Sequence, residues 1–101
     1  MDRYRRRESV RVTVKAFGGF RDIMPGEIVM DLPAGTDIGG LLEVLGRGYR
    51  ALPEALFAMP GMLRDYVNIL KNGRNIQFIR GLATLLEGGG VVALFPPAAG
   101  G

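Results

Sequence analysis

Cysteine, histidine and tryptophan are absent from all 101 residues. Without cysteine there is no thiolate nucleophile, no disulfide and no thiolate metal site, and without histidine there is no imidazole base or imidazole ligand for zinc. Most chemistries open to a small enzyme go with those two residues, so neither a metal nor a bound cofactor is expected. The lack of disulfides fits a reducing compartment, and a cytoplasmic location is expected. Long apolar runs are also missing. The best one, Val91 to Phe95, stops at Pro96-Pro97, far short of a membrane span. Arg11 and Lys15 interrupt the apolar residues that follow the N-terminal arginines, so no secretory hydrophobic region forms.

What remains is the composition of one folded domain, 48% hydrophobic and 23% charged, too short for a core plus a deep multi-walled active site. The formal charge is +3, and residues 1–8 carry +2 of it, with Arg3, Arg5, Arg6 and Arg7 against Asp2 and Glu8. Basicity is therefore a property of a short leader, expected to be solvated and flexible. No RNA-binding signature accompanies it, so nucleic acid is not an expected partner.

Residues 9–17 alternate, with Val10, Val12, Val14 and Ala16 on one face and Arg11, Thr13 and Lys15 on the other, which predicts a half-buried strand. Gly18-Gly19 breaks the pattern, and a second strand is expected over residues 27–32 after the Met24-Pro25-Gly26 turn. Thr36 or Asp37 can cap a helix in which Ile38, Leu41, Leu42 and Leu45 fall at i, i+3, i+4 and i+7, with Gly46 or Gly48 as its C-cap. Residues 49–65, broken by Pro53, Pro60 and Gly61, read as a surface insertion with at most one brief helix. Strands are expected over 66–70 and 75–79, joined by the tight turn Lys71-Asn72-Gly73-Arg74. A single helical turn over 80–86 and the Gly88-Gly89-Gly90 turn then lead to Val91–Phe95, a continuously apolar strand that belongs at the centre of a sheet. The sum is an α+β domain over residues 9–95, with one helix laid across one face of a mixed sheet.

After the last strand, Pro96-Pro97-Ala98-Ala99-Gly100-Gly101 has no side chain larger than the proline ring. Six such residues extend about 20 Å, enough to thread into another protein's cleft. The proline pair stiffens the base, and Gly100 and Gly101 allow close approach where a Cβ would collide. The only functional group of such a tail is its α-carboxylate.

The order of elements, the end Leu85-Leu86-Glu87-Gly88-Gly89-Gly90-Val91-Val92-Ala93-Leu94-Phe95-Pro96-Pro97-Ala98-Ala99-Gly100-Gly101, and the segments 67–73 and 81–85 together resemble the MoaD/ThiS sulfur carriers of the ubiquitin-like β-grasp fold. The Phe-Pro-Pro end is most similar to MoaD. The resemblance spans residues 10–101 and draws most of its specificity from the last seven. It departs from the family style in two places. Gly88-Gly89-Gly90 stands where an Asp-Gly-Asp-like turn is usual, which is expected to loosen that turn, and Ala98-Ala99 stands where Val-Ala is common.

The resemblance implies a non-catalytic carrier. A ubiquitin-activator-like enzyme spends ATP to adenylate the carboxylate of Gly101, and a sulfur donor displaces AMP to leave a thiocarboxylate. An acceptor such as the large subunit of molybdopterin synthase then consumes the sulfur. Gly101 is the attachment point and Gly100 gives it access. Phe78 and Phe95, with Pro96, Pro97, Ala98 and Ala99, are the candidate partner contacts. Sulfur delivery to thiamin, cysteine or tRNA thiolation, and isopeptide modification of other proteins through Gly101, use the same terminal chemistry.

Overall fold

The computed structural model describes residues 9–97. The alternating N-terminal segment forms β1, Ser9–Ala16, and the turn after it holds a 3-10 helix, Gly18–Asp22, that buries Phe20. β2, Glu27–Pro33, returns antiparallel to β1 with Val12 opposite Met30 and Val14 opposite Ile28. α1 follows over Ile38–Gly48. Asp37 caps it by accepting a 2.8 Å hydrogen bond from the Gly40 amide, and Ile38, Leu41, Leu42 and Leu45 are the buried face that the spacing predicts.

The 49–65 segment departs from expectation. Leu52–Leu56 forms a second helix, α2, whose Leu52 and Leu56 are fully buried, so it belongs to the core rather than to a surface insertion. Behind it, β3 (Phe57–Met59) and β4 (Met62–Leu63) form a separate small hairpin around Pro60-Gly61. Gly46 is not a C-cap either, because α1 runs through it to Gly48. Its role is contact: a Cβ there would lie 2.7 Å from Cγ of Pro53, where α2 packs against α1.

β5, Asn68–Lys71, and β6, Arg74–Asn75, are joined by Asn72-Gly73 as predicted, but the second strand is cut short. The Asn75 side chain accepts a 2.9 Å hydrogen bond from the Gln77 amide and turns Ile76–Phe78 into a 3-10 helix. Ile76 is thereby buried while Phe78 is left outside, the opposite of what a strand over 75–79 implies for successive faces. The connector forms one 3-10 turn, Gly81–Ala83, and docks on the start of α1, where the Ile38 amide donates to the Thr84 carbonyl at 2.9 Å.

β7, Val91–Phe95, is central as expected. The main sheet has the order β2-β1-β7-β5-β6, with β7 parallel to β1 and antiparallel to β5. Val12, Val14, Ile69, Val92 and Leu94 face α1 and form the core with its leucines. Among the described residues no helix is long and apolar enough to cross a membrane.

The two helix glycines give opposite expectations. Alanine at Gly48, where a Cβ meets nothing within 4 Å, is expected to be neutral or to stabilise by up to about 1 kcal/mol through helix propensity. Alanine at Gly46 is expected to destabilise in spite of the same propensity gain, because the Pro53 ring must move. Urea unfolding of both variants checks the pair.

Candidate functional site

The tail leaves the domain from the end of the central strand. Alternation along β7 sends Val92 and Leu94 into the core and puts Val91, Ala93 and Phe95 on the face that α1 leaves open. The same face carries Leu70, opposite Ala93, and Val29, opposite Thr13 and 58% exposed. It is thus a partly apolar surface with no element of the described fold laid over it.

At the end of this surface the root of the tail is held from the β1 side. The Phe17 amide donates to the Leu94 carbonyl at 3.0 Å, extending the parallel ladder one residue past β1. The rings of Phe17 and Phe95 stack in parallel, with centroids 4.4 Å apart and planes 6° from coplanar. Gly18 comes next, at φ +55°, and a Cβ on it would sit 2.8 Å from Cγ of Pro96. Any side chain at Gly18 would therefore collide with the first residue of the tail and strain its own backbone. Pro96 is half-buried in this contact and Pro97 is exposed. A groove of about 440 Å³ beside the root is lined by Lys15, Phe17, Arg21 and Glu27.

The start of β7 is fixed as firmly. Asn72, at φ +51° in the hairpin turn, donates its amide to the Val91 carbonyl and accepts the Val91 amide on its side chain, both at 2.8 Å. The Gly88-Gly89-Gly90 turn is not the loose segment expected. The Gly89 amide donates to the Arg11 carbonyl at 2.8 Å, the Gly90 amide to the Glu87 carbonyl at 3.1 Å, and the Gly90 carbonyl accepts from Thr13 at 3.0 Å. Just before the turn, the Glu87 carboxylate meets the mostly buried Lys71 ammonium at 2.7 Å. The hydrogen bond from Lys71, and then its charge, hold the Glu87 carboxyl below its ordinary pKa.

Of the candidate site residues, the structure brings Phe95 and Pro96 together at the root with Pro97 following. Phe78 stands apart, 72% exposed after β6, two strands away from β7, with its carbonyl accepting from the Arg74 guanidinium at 3.1 Å. Ala98, Ala99, Gly100 and Gly101 lie outside the described residues, as does the leader 1–8. Gly18 is the contributor that sequence reasoning missed. Its signal was a glycine directly after a strand that pairs in parallel with the last one. Among the described residues no group of His, Cys, Asp or Glu is placed to hold a metal ion. A second groove, about 750 Å³, lies between α1, α2 and the β3–β4 hairpin, lined by Leu42, Pro53, Phe57 and Met59 among others, and shares no residue with the root.

The described residues fix the point at which the chain passes Phe95 and Pro96, and comparison with known proteins gives the family. The model of the ThiS family matches residues 14–101, through the final glycine. The chain belongs to the ThiS family. The small archaeal modifier protein 3 of Haloferax volcanii is 32% identical over 93 residues, covering 91% of this chain and all of the relative. The sulfur carrier protein CysO of Mycobacterium tuberculosis is 34% identical over 70 residues, 67% of this chain and 75% of the relative. A solved Pyrococcus furiosus protein, assigned as subunit 1 of a molybdopterin converting factor, superposes with a TM-score of 0.72 at 33% identity, covering 88% of this chain and 99% of that one. The fold is thus the ubiquitin-like β-grasp, and the family is that of ubiquitin-like sulfur carriers and modifiers.

Two measurements check the geometry of the root and of the turn before β7. Gly18→Val is expected to lower stability by about 1–3 kcal/mol through left-handed backbone strain and the Pro96 collision. It should also unstack Phe17 from Phe95, seen as loss of the ring-current shifts on both rings in the NMR spectrum. For Glu87, a depressed folded-state pKa means that its contribution is present above the unfolded value and lost as pH falls through the folded one. The melting-temperature difference between the wild type and Glu87→Gln is therefore expected at neutral pH and should vanish on acidification below the ordinary carboxylate range.

Proposed function

We propose that the chain is a sulfur carrier whose reactive group is the α-carboxylate of Gly101, serving molybdopterin synthesis. The observation that carries this reading is the emergence of a small-residue tail from a pinned central strand in a domain of the ThiS family. In this reading a ubiquitin-activator-like enzyme joins the Gly101 carboxylate to AMP with release of pyrophosphate. The terminal sulfur of a protein persulfide attacks that carbonyl, AMP leaves, and an acyl disulfide forms. A thiol then cleaves the S–S bond, becomes a disulfide itself, and frees the thiocarboxylate. On the larger synthase subunit the thiocarboxylate sulfur bonds to the acceptor, and water then cleaves the acyl–sulfur bond, leaving the sulfur on the acceptor and a carboxylate on Gly101. Catalytic groups reside on these partners, and the carrier contributes a defined launch point and a tail thin enough for both clefts. The open sheet face around Phe95 is the docking surface, and Phe78, exposed beyond β6, is a separate contact. ATP and persulfide chemistry place the cycle in the cytoplasm.

The Pyrococcus furiosus relative supports the molybdopterin branch. CysO supports carriage toward another acceptor, and the archaeal modifier supports a second reading in which Gly101 forms isopeptide bonds with lysines of target proteins.

Intact-mass analysis of the protein from its own host separates them. Replacement of one oxygen by sulfur at the C-terminus is expected for a carrier, and copurification with a synthase large subunit fixes the branch. Gly-Gly remnants on lysines of other digested proteins would instead establish the modifier. Deletion of Gly101 is expected to abolish adenylation and leave the unfolding transition unchanged; adenylation at the wild-type rate would sink the proposal.

A further inference from the structure

Tyr66 is costly to the domain that holds it. The turn Arg64-Asp65-Tyr66-Val67 closes with a 3.2 Å bond from the Val67 amide to the Arg64 carbonyl, and Tyr66 occupies its third position at φ +68°. A positive φ there with none at Asp65 is type II geometry, which favours Gly or Asn. A bulky L-residue is strained in that region. The ring recovers nothing from packing, since Tyr66 is 80% exposed, the most exposed of the large hydrophobic side chains among the described residues. Side chains brace the turn: Nδ2 of Asn75 donates to Oδ1 of Asn68 at 3.1 Å, and Nδ2 of Asn68 donates to the Tyr66 carbonyl at 3.4 Å.

The position of this residue gives it a use. Asn68, the first residue of β5, pairs with Phe95, the last of β7, so the Tyr66 turn runs into β5 at the end of the sheet where the tail begins. The tail therefore leaves the sheet with Phe17 and Gly18 on the β1 side and the Tyr66 turn on the β5 side. A cleft that takes in the tail up to its root approaches the end of the sheet at which this turn lies. An exposed, nearly rigid aromatic ring with a polar tip is the kind of side chain that anchors protein interfaces.

We propose that Tyr66 is a docking residue for the adenylating enzyme, gripping the carrier where the tail enters the partner's cleft. The proposal rests on the reading of Gly101 as the adenylated terminus. It assigns the ring to the activation step because the carboxylate must there be driven fully into the ATP site. The ring binds and takes no part in the chemistry, so its removal should raise KM for the carrier and leave kcat unchanged.

The test is ATP–pyrophosphate exchange by the adenylating enzyme of the carrier's own host, titrated with the full-length wild type, Tyr66→Gly, Tyr66→Phe and a Gly101 deletion. Tyr66→Gly is expected to melt above the wild type, since glycine relieves the strain, yet to need roughly tenfold more carrier for half-maximal exchange. Tyr66→Phe should keep most of the affinity. Equal KM for Tyr66→Gly and the wild type would overturn the docking role while exchange itself still stood. A fall in kcat with KM unchanged would overturn it as well. A folded wild type that supports no exchange, or a Gly101 deletion that supports it fully, would remove the underlying reading and the proposal with it.

Discussion

β7 is hydrogen-bonded on both sides, to β1 in parallel and to β5 in antiparallel, and this placement of the last strand governs the molecule. A strand in the middle of its sheet needs both flanks built. The β1–β2 hairpin and the β5–β6 hairpin are those flanks, and α1 roofs the strand between them by covering Val92 and Leu94. A slip of one residue in β7 would turn those two side chains onto the open face and bring Ala93 and Phe95 inward, so the core itself enforces the register. Asn72 at one end and the Phe17 amide at the other close the ladder where the strand begins and ends.

The consequence reaches the terminus. A tail anchored on a frayed edge strand would start from many positions, and a partner would have to order its root as well as its end. Here the root is fixed by the stacked Phe17–Phe95 pair and the Gly18–Pro96 contact. A partner that takes the tail meets a root already held in one place, and such preorganisation lowers the entropic cost of binding.

Much of this was legible where a local pattern and the tertiary fold agree. The alternation of Val10 to Ala16, the i, i+3, i+4, i+7 leucines of α1, the Asn72-Gly73 turn and the continuous apolarity of β7 each report an environment that the fold then supplies. The failures share a cause, which is that a residue acts through a contact the linear pattern does not contain. Gly46 looks like a helix end and is a helix–helix contact with Pro53. Asn75 looks like the start of a strand and instead folds its side chain onto the Gln77 amide, so that Ile76 and Phe78, which would share one face of a strand, part into core and solvent. Leu52 and Leu56 carry a helical spacing in a stretch that its prolines and glycine made look superficial. The root of the tail was half legible: Phe95 and the prolines announce it, whereas Gly18 acquires its meaning only once β1 and β7 lie side by side.

The composition with which the sequence stands out now has a physical place. Under the proposed chemistry the acyl group on Gly101 must survive transfer from one partner to the next, and the most dangerous nucleophiles are those of its own chain, present at high effective concentration. No thiol exists to capture it. Lys15 and Lys71 are the only side-chain amines in the sequence. Lys71 is engaged by Glu87 and mostly buried, and Lys15 is half-buried opposite Glu27. Positive charge elsewhere is supplied by arginine, whose guanidinium stays protonated and does not attack an acyl carbon. A carrier of activated carboxylate gains from such a surface, because the arginines that keep it charged add no acceptor for its reactive end, and Lys15 is the one lysine beside the root.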